Sequence, residues 1–214
     1  MNTEKRVEEF ISYICDVLLI EEPTAYSYDF PYEQVRFGEI KKDYEPIDYT
    51  LRLPSISEIK KRRVYHFATI AHELRHAYQL QQYKYYLEGD FDEVEYTSEE
   101  IKAIEKDYNK MKEVGEETSP RLTQGYNLQF IEVDANAFAA VTMQVLFGIK
   151  IWAEENANGE DVTEKQQELV DARMADVLSV ITQEDYLLNL QFHKIDLNEM
   201  KEWLTEGSKS SKFN

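Results

Sequence analysis

The chain has 214 residues, and its 42 acidic side chains against 24 basic ones give a formal net charge of −18. That charge argues against a nucleic-acid-binding surface, because a polyanion would be repelled. Hydrophobic residues make up 43% of the chain, which is enough for a sizeable core. With 7 Gly and 5 Pro, the chain has few turn residues for a sandwich or barrel, so we predict a mostly helical protein.

The number of cysteines and the N-terminal residues indicate the cellular compartment of the protein. A single cysteine, Cys15, excludes a disulfide framework, and its apolar neighbours predict a buried thiol. Residues 1–10 hold acidic side chains where a signal peptide needs a basic lead, and no run of about 18 apolar residues indicates a membrane span. We expect a cytoplasmic protein with no membrane partner, built as one domain over residues 1–206 with a flexible tail at 207–214.

The first third of the chain predicts a helix followed by short strands. Apolar residues at helical spacing predict a helix from residue 3 to about 20, with Thr3 as a possible N-cap. Aromatic and β-branched residues then alternate with polar ones, as in residues 34–40 and 48–53. This alternation predicts two or three short strands in a small antiparallel sheet.

The remaining elements are predicted to be helices. Ser55 or Ser57 can cap a long helix that runs to about Leu87. On that helix apolar residues gather on one side, and a second set gathers near the opposite side: Tyr65, Thr69, His72, His76 and Gln79. Further helices are predicted over residues 99–114, 126–147, 163–181, 184–191 and 197–206. Residues 131–147 are apolar almost all round, which predicts a buried central helix.

The long helix carries an HExxH motif, His72-Glu73-Leu74-Arg75-His76. Histidines four residues apart project from one helix face, so both imidazoles can reach one Zn²⁺. Glu73 would then lie beside the attacking water, where a carboxylate can take a proton and later give it to a leaving amine. The alternative is a chance match in an all-helical adaptor, which would bind no metal.

Two histidines leave a zinc site one protein ligand short, and Glu132 is the candidate for the third. It is a charged residue at the start of an apolar helix, where an unpaired carboxylate would be costly to bury. The alternative is that Glu132 only interacts with the helix dipole. Asn136, one turn later, could accept a hydrogen bond from the other ring nitrogen of His72 or His76. Asp134 points away from Glu132 and is expected to support or pack, not to bind metal.

These residues resemble a known group of peptidases. The HExxH motif followed by Glu132-x-x-Ala135-Asn136-x-Phe138-Ala139-Ala140 resembles the gluzincins, closest to the ImmA/IrrE-type proteins and small phage or bacterial zincin-like proteins. The resemblance covers about residues 57–147. It implies Zn²⁺ held by two histidines and Glu132, with Glu73 as catalytic base. It also implies an α+β, predominantly helical, zincin-like fold with a small antiparallel sheet packed near the HExxH helix.

The predicted function is a zinc-dependent peptidase that acts on a peptide or protein substrate. Tyr126 and His193 are the two candidates for donating a hydrogen bond to the oxyanion. Arg75 is interpreted as the ion-pair partner of a carboxylate, and His66 as a surface or packing residue. The alternative function is a catalytically silent metal-binding or interaction protein. Retention of Glu73 favours the enzyme, because a structural zinc site needs no base beside it.

Overall fold

The computed structural model describes residues 2–23, 25–27, 36–37, 50–114, 128–151, 164–193 and 195–206. Within these ranges eight α-helices form most of the protein. They are α1 (Thr3–Leu18), α2 (Ile56–Lys61), α3 (Arg63–Glu88), α4 (Ser98–Val114), α5 (Phe130–Phe147), α6 (Glu164–Val180), α7 (Gln183–His193) and α8 (Leu197–Glu206). The three strands are β1 (Ala25–Ser27), β2 (Arg36–Phe37) and β3 (Thr50–Arg52). The predicted tail at 207–214 lies outside the described residues.

The fold class predicted from the sequence is wrong. An α+β zincin-like fold needs a sheet beside the HExxH helix, but within the described residues the three strands are only three, two and three residues long. The rest of the predicted strand segments 34–40 and 48–53 before residue 50 lies outside the described residues, apart from residues 36–37. They are also not antiparallel throughout: β3 lies between the other two, parallel to β1 and antiparallel to β2. The described part of the chain is therefore a helical assembly. The physical reason for the error is that alternation indicates extended segments but not their length or partners.

Helix α5 begins at Phe130 and not at residue 126, and two further helix starts differ from the prediction. Asn2, and not Thr3, caps α1, because its side chain accepts a hydrogen bond from the backbone N–H of Lys5 at 2.8 Å. The single long helix expected after Ser55 is two helices. Ser55 caps α2, and the backbone then leaves helical geometry at Arg62, with φ −130° and ψ 54°, before α3 begins.

Helix α5 lies at the centre of the fold, as predicted. It packs against α3, α4, α6 and α8, and most of its side chains are buried. By length and composition alone α5 could cross a membrane, but 78% of that stretch is buried within the protein. Such burial is typical of a core helix. Cys15 and His66 are also buried, which agrees with the predicted buried thiol and packing histidine.

Candidate metal centre

Two helices bring the predicted ligands together. His72 and His76 lie one turn apart on α3, and Glu132 lies in the first turn of α5. The Nε2 atoms of the two histidines are 3.1 Å apart. The carboxylate of Glu132 lies 3.5 Å from Nε2 of His72 and 3.3 Å from Nε2 of His76. One ligand atom of each residue falls within 4.8 Å of the others, so these three residues could hold a metal ion.

Hydrogen bonds to the outer ring nitrogens determine which nitrogens face the centre. Nδ1 of His72 lies 3.0 Å from Oδ1 of Asn136, and Nδ1 of His76 lies 2.9 Å from Oε1 of Gln79. The Gln79 amide cannot be reversed, because its Nε2 donates to a backbone carbonyl and to a carboxylate, which only accept. Nδ1 of each imidazole is therefore engaged by an amide oxygen, and Nε2 of each imidazole faces the centre. Two Nε2 atoms 3.1 Å apart need a proton or a metal ion at the centre, and two imidazoles that point the same ring nitrogen inward fit a metal ion.

The charges at the centre favour a cation. Burial opposes ionisation of Glu132, but His76 and hydrogen bonds from both histidines hold the pKa of this carboxyl well below its usual range. Burial also opposes protonation of His76, yet the Glu132 carboxylate outweighs burial and raises the pKa of His76 to about 9. Glu132 is therefore a carboxylate at neutral pH. A buried carboxylate facing two imidazoles provides the negative charge that a divalent cation needs.

Glu73 lies beside the ligand group without belonging to it. Its side chain is buried, and its negative charge contributes to the raised pKa values of His76 and Tyr108. Tyr108 comes from α4 and donates a hydrogen bond to the backbone carbonyl of His76 at 3.4 Å. Burial, followed by the charge of Glu132, holds the pKa of Tyr108 well above its usual value. Tyr108 therefore remains a neutral phenol, and its hydrogen bond stabilises the backbone of α3 at His76.

Asp134 connects the metal centre to the rest of the core. Its carboxylate is fully buried and accepts hydrogen bonds from Arg75 at 2.8 Å, Arg173 at 2.8 Å, Tyr96 at 2.6 Å and Gln79 at 2.9 Å. The two arginines hold the pKa of Asp134 well below its usual range, although burial opposes this. Because Gln79 also bonds His76, Asp134 supports the site through one intervening amide.

The structure brings together most of the predicted site residues. Asn136 was expected to bond either histidine, and it bonds His72. Arg75 forms the expected ion pair, and its partner is Asp134. Tyr126 lies outside the described residues. His193 lies against α1, where its Nε2 is 2.6 Å from Oδ2 of Asp16, and its ring meets a tyrosine edge-on.

Four supporting residues were not identified from the sequence: Gln79, Tyr96, Tyr108 and Arg173. The helical pattern places Gln79 on the histidine face of the helix, and its position three residues after His76 is a usable signal for its role. Tyr96, Tyr108 and Arg173 reach the site from other parts of the chain, and no spacing rule indicates such contacts.

Comparison of the chain with protein-family models, with curated proteins and with solved structures found no match. The resemblance to gluzincins therefore depends on the residues of the two motifs alone.

Removing either hydrogen-bond partner of the ligand histidines should weaken metal binding without abolishing it. Loss of such a partner typically costs about 10- to 100-fold in metal affinity, so we expect that loss for Asn136→Ala and for Gln79→Ala. Glu132→Ala should lose far more, because it removes a ligand. Competition between the protein and a chelator for Zn²⁺ measures the affinities. Gln144→Ala, at an exposed position of α5, is the matched control. Wild-type affinity in both Asn136→Ala and Gln79→Ala would contradict this account.

Neutralising Asp134 should destabilise the whole protein. Asp134→Asn keeps the shape of the side chain but leaves Arg75 buried beside an uncharged group, which typically costs about 3 to 5 kcal/mol. Tyr96→Phe removes one hydrogen bond to the same carboxylate and should cost about 1 to 3 kcal/mol. Urea unfolding of the two variants and the wild type gives the free energies of unfolding. An Asp134→Asn variant within 1 kcal/mol of wild type, a margin below the range expected for a broken buried pair, would contradict the role assigned to this carboxylate.

Proposed function

We propose that this protein is a zinc-dependent peptidase of the gluzincin type in its ligand set, with His72, His76 and Glu132 as ligands and Glu73 as the general base. The observation that carries the proposal is the convergence of two imidazole nitrogens and one carboxylate beside a second, separate carboxylate. Imidazole and carboxylate donors suit Zn²⁺, and three protein ligands leave a fourth position open. A structural zinc site would instead use four protein ligands.

Zinc bound by these ligands would polarise the scissile carbonyl and lower the pKa of a water molecule at the open position. Glu73 accepts the proton of the attacking water as the new carbon–oxygen bond forms. The same carboxyl then gives that proton to the leaving amine as the carbon–nitrogen bond breaks. One water is consumed, and the products are a carboxylic acid and an amine. The burial of Glu73 places this proton transfer away from bulk solvent.

Supporting residues keep the ligands in place during this cycle. Asn136 and Gln79 hold the two imidazoles with Nε2 toward the centre, as the hydrogen bonds at Nδ1 require. Tyr108 holds the backbone of α3 at His76. A group held by a buried network needs little reorganisation as charge develops, which is the condition under which electrostatic catalysis is effective.

A catalytically silent metal-binding protein is the second candidate, and one observation of the fold favours it. The sheet that the gluzincin resemblance implies is replaced by strands of two or three residues. A protein with this ligand set and without turnover would bind zinc, and its Glu73 would be dispensable.

Glu73→Gln separates the two functions. We expect the variant to bind about one equivalent of Zn²⁺ and to lose hydrolysis of any peptide that the wild type cleaves, because an amide cannot accept the proton. The assay screens a mixture of internally quenched fluorescent peptides against zinc-loaded protein, with zinc content measured in parallel. Glu99→Gln, exposed in the first turn of α4, is the control for the same chemical change. Turnover at the wild-type rate by Glu73→Gln would rule out the mechanism, and a zinc-loaded wild type that cleaves no peptide would favour the silent protein.

A further inference from the structure

One face of α3 forms a partly exposed strip that leads away from the candidate metal centre. Between residues 65 and 76, all of which the structure describes, four side chains are partly exposed: Tyr65, Thr69, His72 and His76. At 100° per residue these four positions lie within about 60° of one another around the helix. The other eight residues of this stretch are buried. The strip therefore continues the accessible edge of the metal centre toward the start of the helix.

The far end of the strip is strongly basic. Lys60, Lys61, Arg62 and Arg63 are four consecutive cations in a chain whose net charge is −18. Lys61 pairs with Glu58 and Arg63 with Glu206. Lys60 and Arg62 are exposed, and neither forms an ion pair within the part of the chain that the structure describes.

Arg62 is held over the strip by an aromatic ring. Its guanidinium carbon lies 4.1 Å from the centre of the Tyr65 ring, which is within the range of a cation–π contact. On the helical wheel Arg62 falls near the same direction as the strip. A guanidinium stacked on a ring keeps its N–H groups free at its edge, where they can bind a carboxylate with two parallel hydrogen bonds.

The length of the strip matches a short extended peptide. With a helical rise of about 1.5 Å per residue, Arg62 lies about 15 to 21 Å along α3 from the two histidines. An extended chain advances about 3.3 Å per residue, so that distance corresponds to about four to six residues. When the scissile bond of a bound peptide lies at the metal centre, the peptide side chain four to six residues from that bond lies beside Arg62.

We propose that this strip binds an acidic peptide segment, with carboxylates on Arg62 and Lys60 and the scissile bond at the metal centre. The proposal rests on the proposed peptidase function and names its substrate class. The overall charge of −18 disfavours a nucleic acid, because a long polyanion is repelled by the net negative charge of the chain. A peptide whose few carboxylates lie close together brings them only to the basic end of the strip, at Arg62.

The test measures binding of short peptides to zinc-loaded Glu73→Gln protein, which holds a peptide without cleaving it. Two fluorescent peptides carry a pair of glutamates about five residues from the central bond, one on its amino side and one on its carboxyl side. The matched peptides carry glutamines. Fluorescence anisotropy at low salt should show that one acidic peptide binds about fivefold tighter than its glutamine match, since an exposed ion pair contributes up to about that factor.

Variants that remove positive charges identify the residues that cause the preference for the acidic peptide. Arg62→Gln combined with Lys60→Gln should bring the ratio of the two affinities close to one, with zinc content unchanged. Lys102→Gln, at an exposed position of α4, makes the same type of change away from the strip and should keep the ratio. Salt at about 0.5 M should also shrink the ratio, because it screens exposed charges.

The outcomes separate this inference from the proposed function. Equal binding of acidic and glutamine peptides, absence of binding, or a preference that survives the Arg62 and Lys60 changes would overturn the inference, even if the wild type cleaves peptides. Binding of an oligothymidylate through Arg62 in place of the acidic peptide would also overturn it, in favour of a nucleic acid. An acidic preference that depends on Arg62, in a protein that cleaves nothing, would support the strip and refute the peptidase.

Discussion

The buried ion pair between Asp134 and Arg75 is the interaction on which the candidate metal centre depends. Arg75 lies within the HExxH motif of α3, and Asp134 lies two residues after Glu132 on α5, so the pair joins the two helices that supply the ligands. Arg173 of α6 binds the second oxygen of the same carboxylate and also pairs with Glu100 of α4. Two cations and two anions balance within this cluster, which makes their burial tolerable.

This cluster fixes the positions of the candidate ligands, because it couples the rotation of α3 about its axis to the rotation of α5. On α3, Arg75 is buried in the core, and the histidines on either side of it are partly exposed. On α5, Asp134 points to Arg75 while Glu132 points to the histidines. Any rotation of one helix that moved a ligand would also break the ion pair. The ligands are therefore placed by the same packing that stabilises the fold.

The sequence predicts much of the site because its residues lie on two helices with regular geometry. The four-residue spacing of His72 and His76, and of Glu132 and Asn136, is local, and helical periodicity is enough to place each pair on one face. The contacts of Arg173 and Tyr108 join elements far apart in the chain, and local spacing carries no information about them. These contacts require the tertiary fold.

The errors in the predicted fold have the same origin. Alternating residues before Pro54 indicate extended backbone, but the number of paired residues and the parallel pairing of β1 with β3 depend on distant segments. The break at Arg62 has no glycine or proline to mark it, so periodicity predicts one helix where the backbone makes two. In both cases tertiary packing overrides the local pattern.

The central claim is that His72, His76 and Glu132 form one three-ligand metal site. The most direct measurement is elemental analysis of untagged protein, purified without added metal and again after zinc loading and dialysis. We expect about one equivalent of zinc in the loaded wild type and a sharp loss in His76→Ala and in Glu132→Ala. A wild type that remains metal-free after loading, or a Glu132→Ala variant that retains the full equivalent, would contradict it.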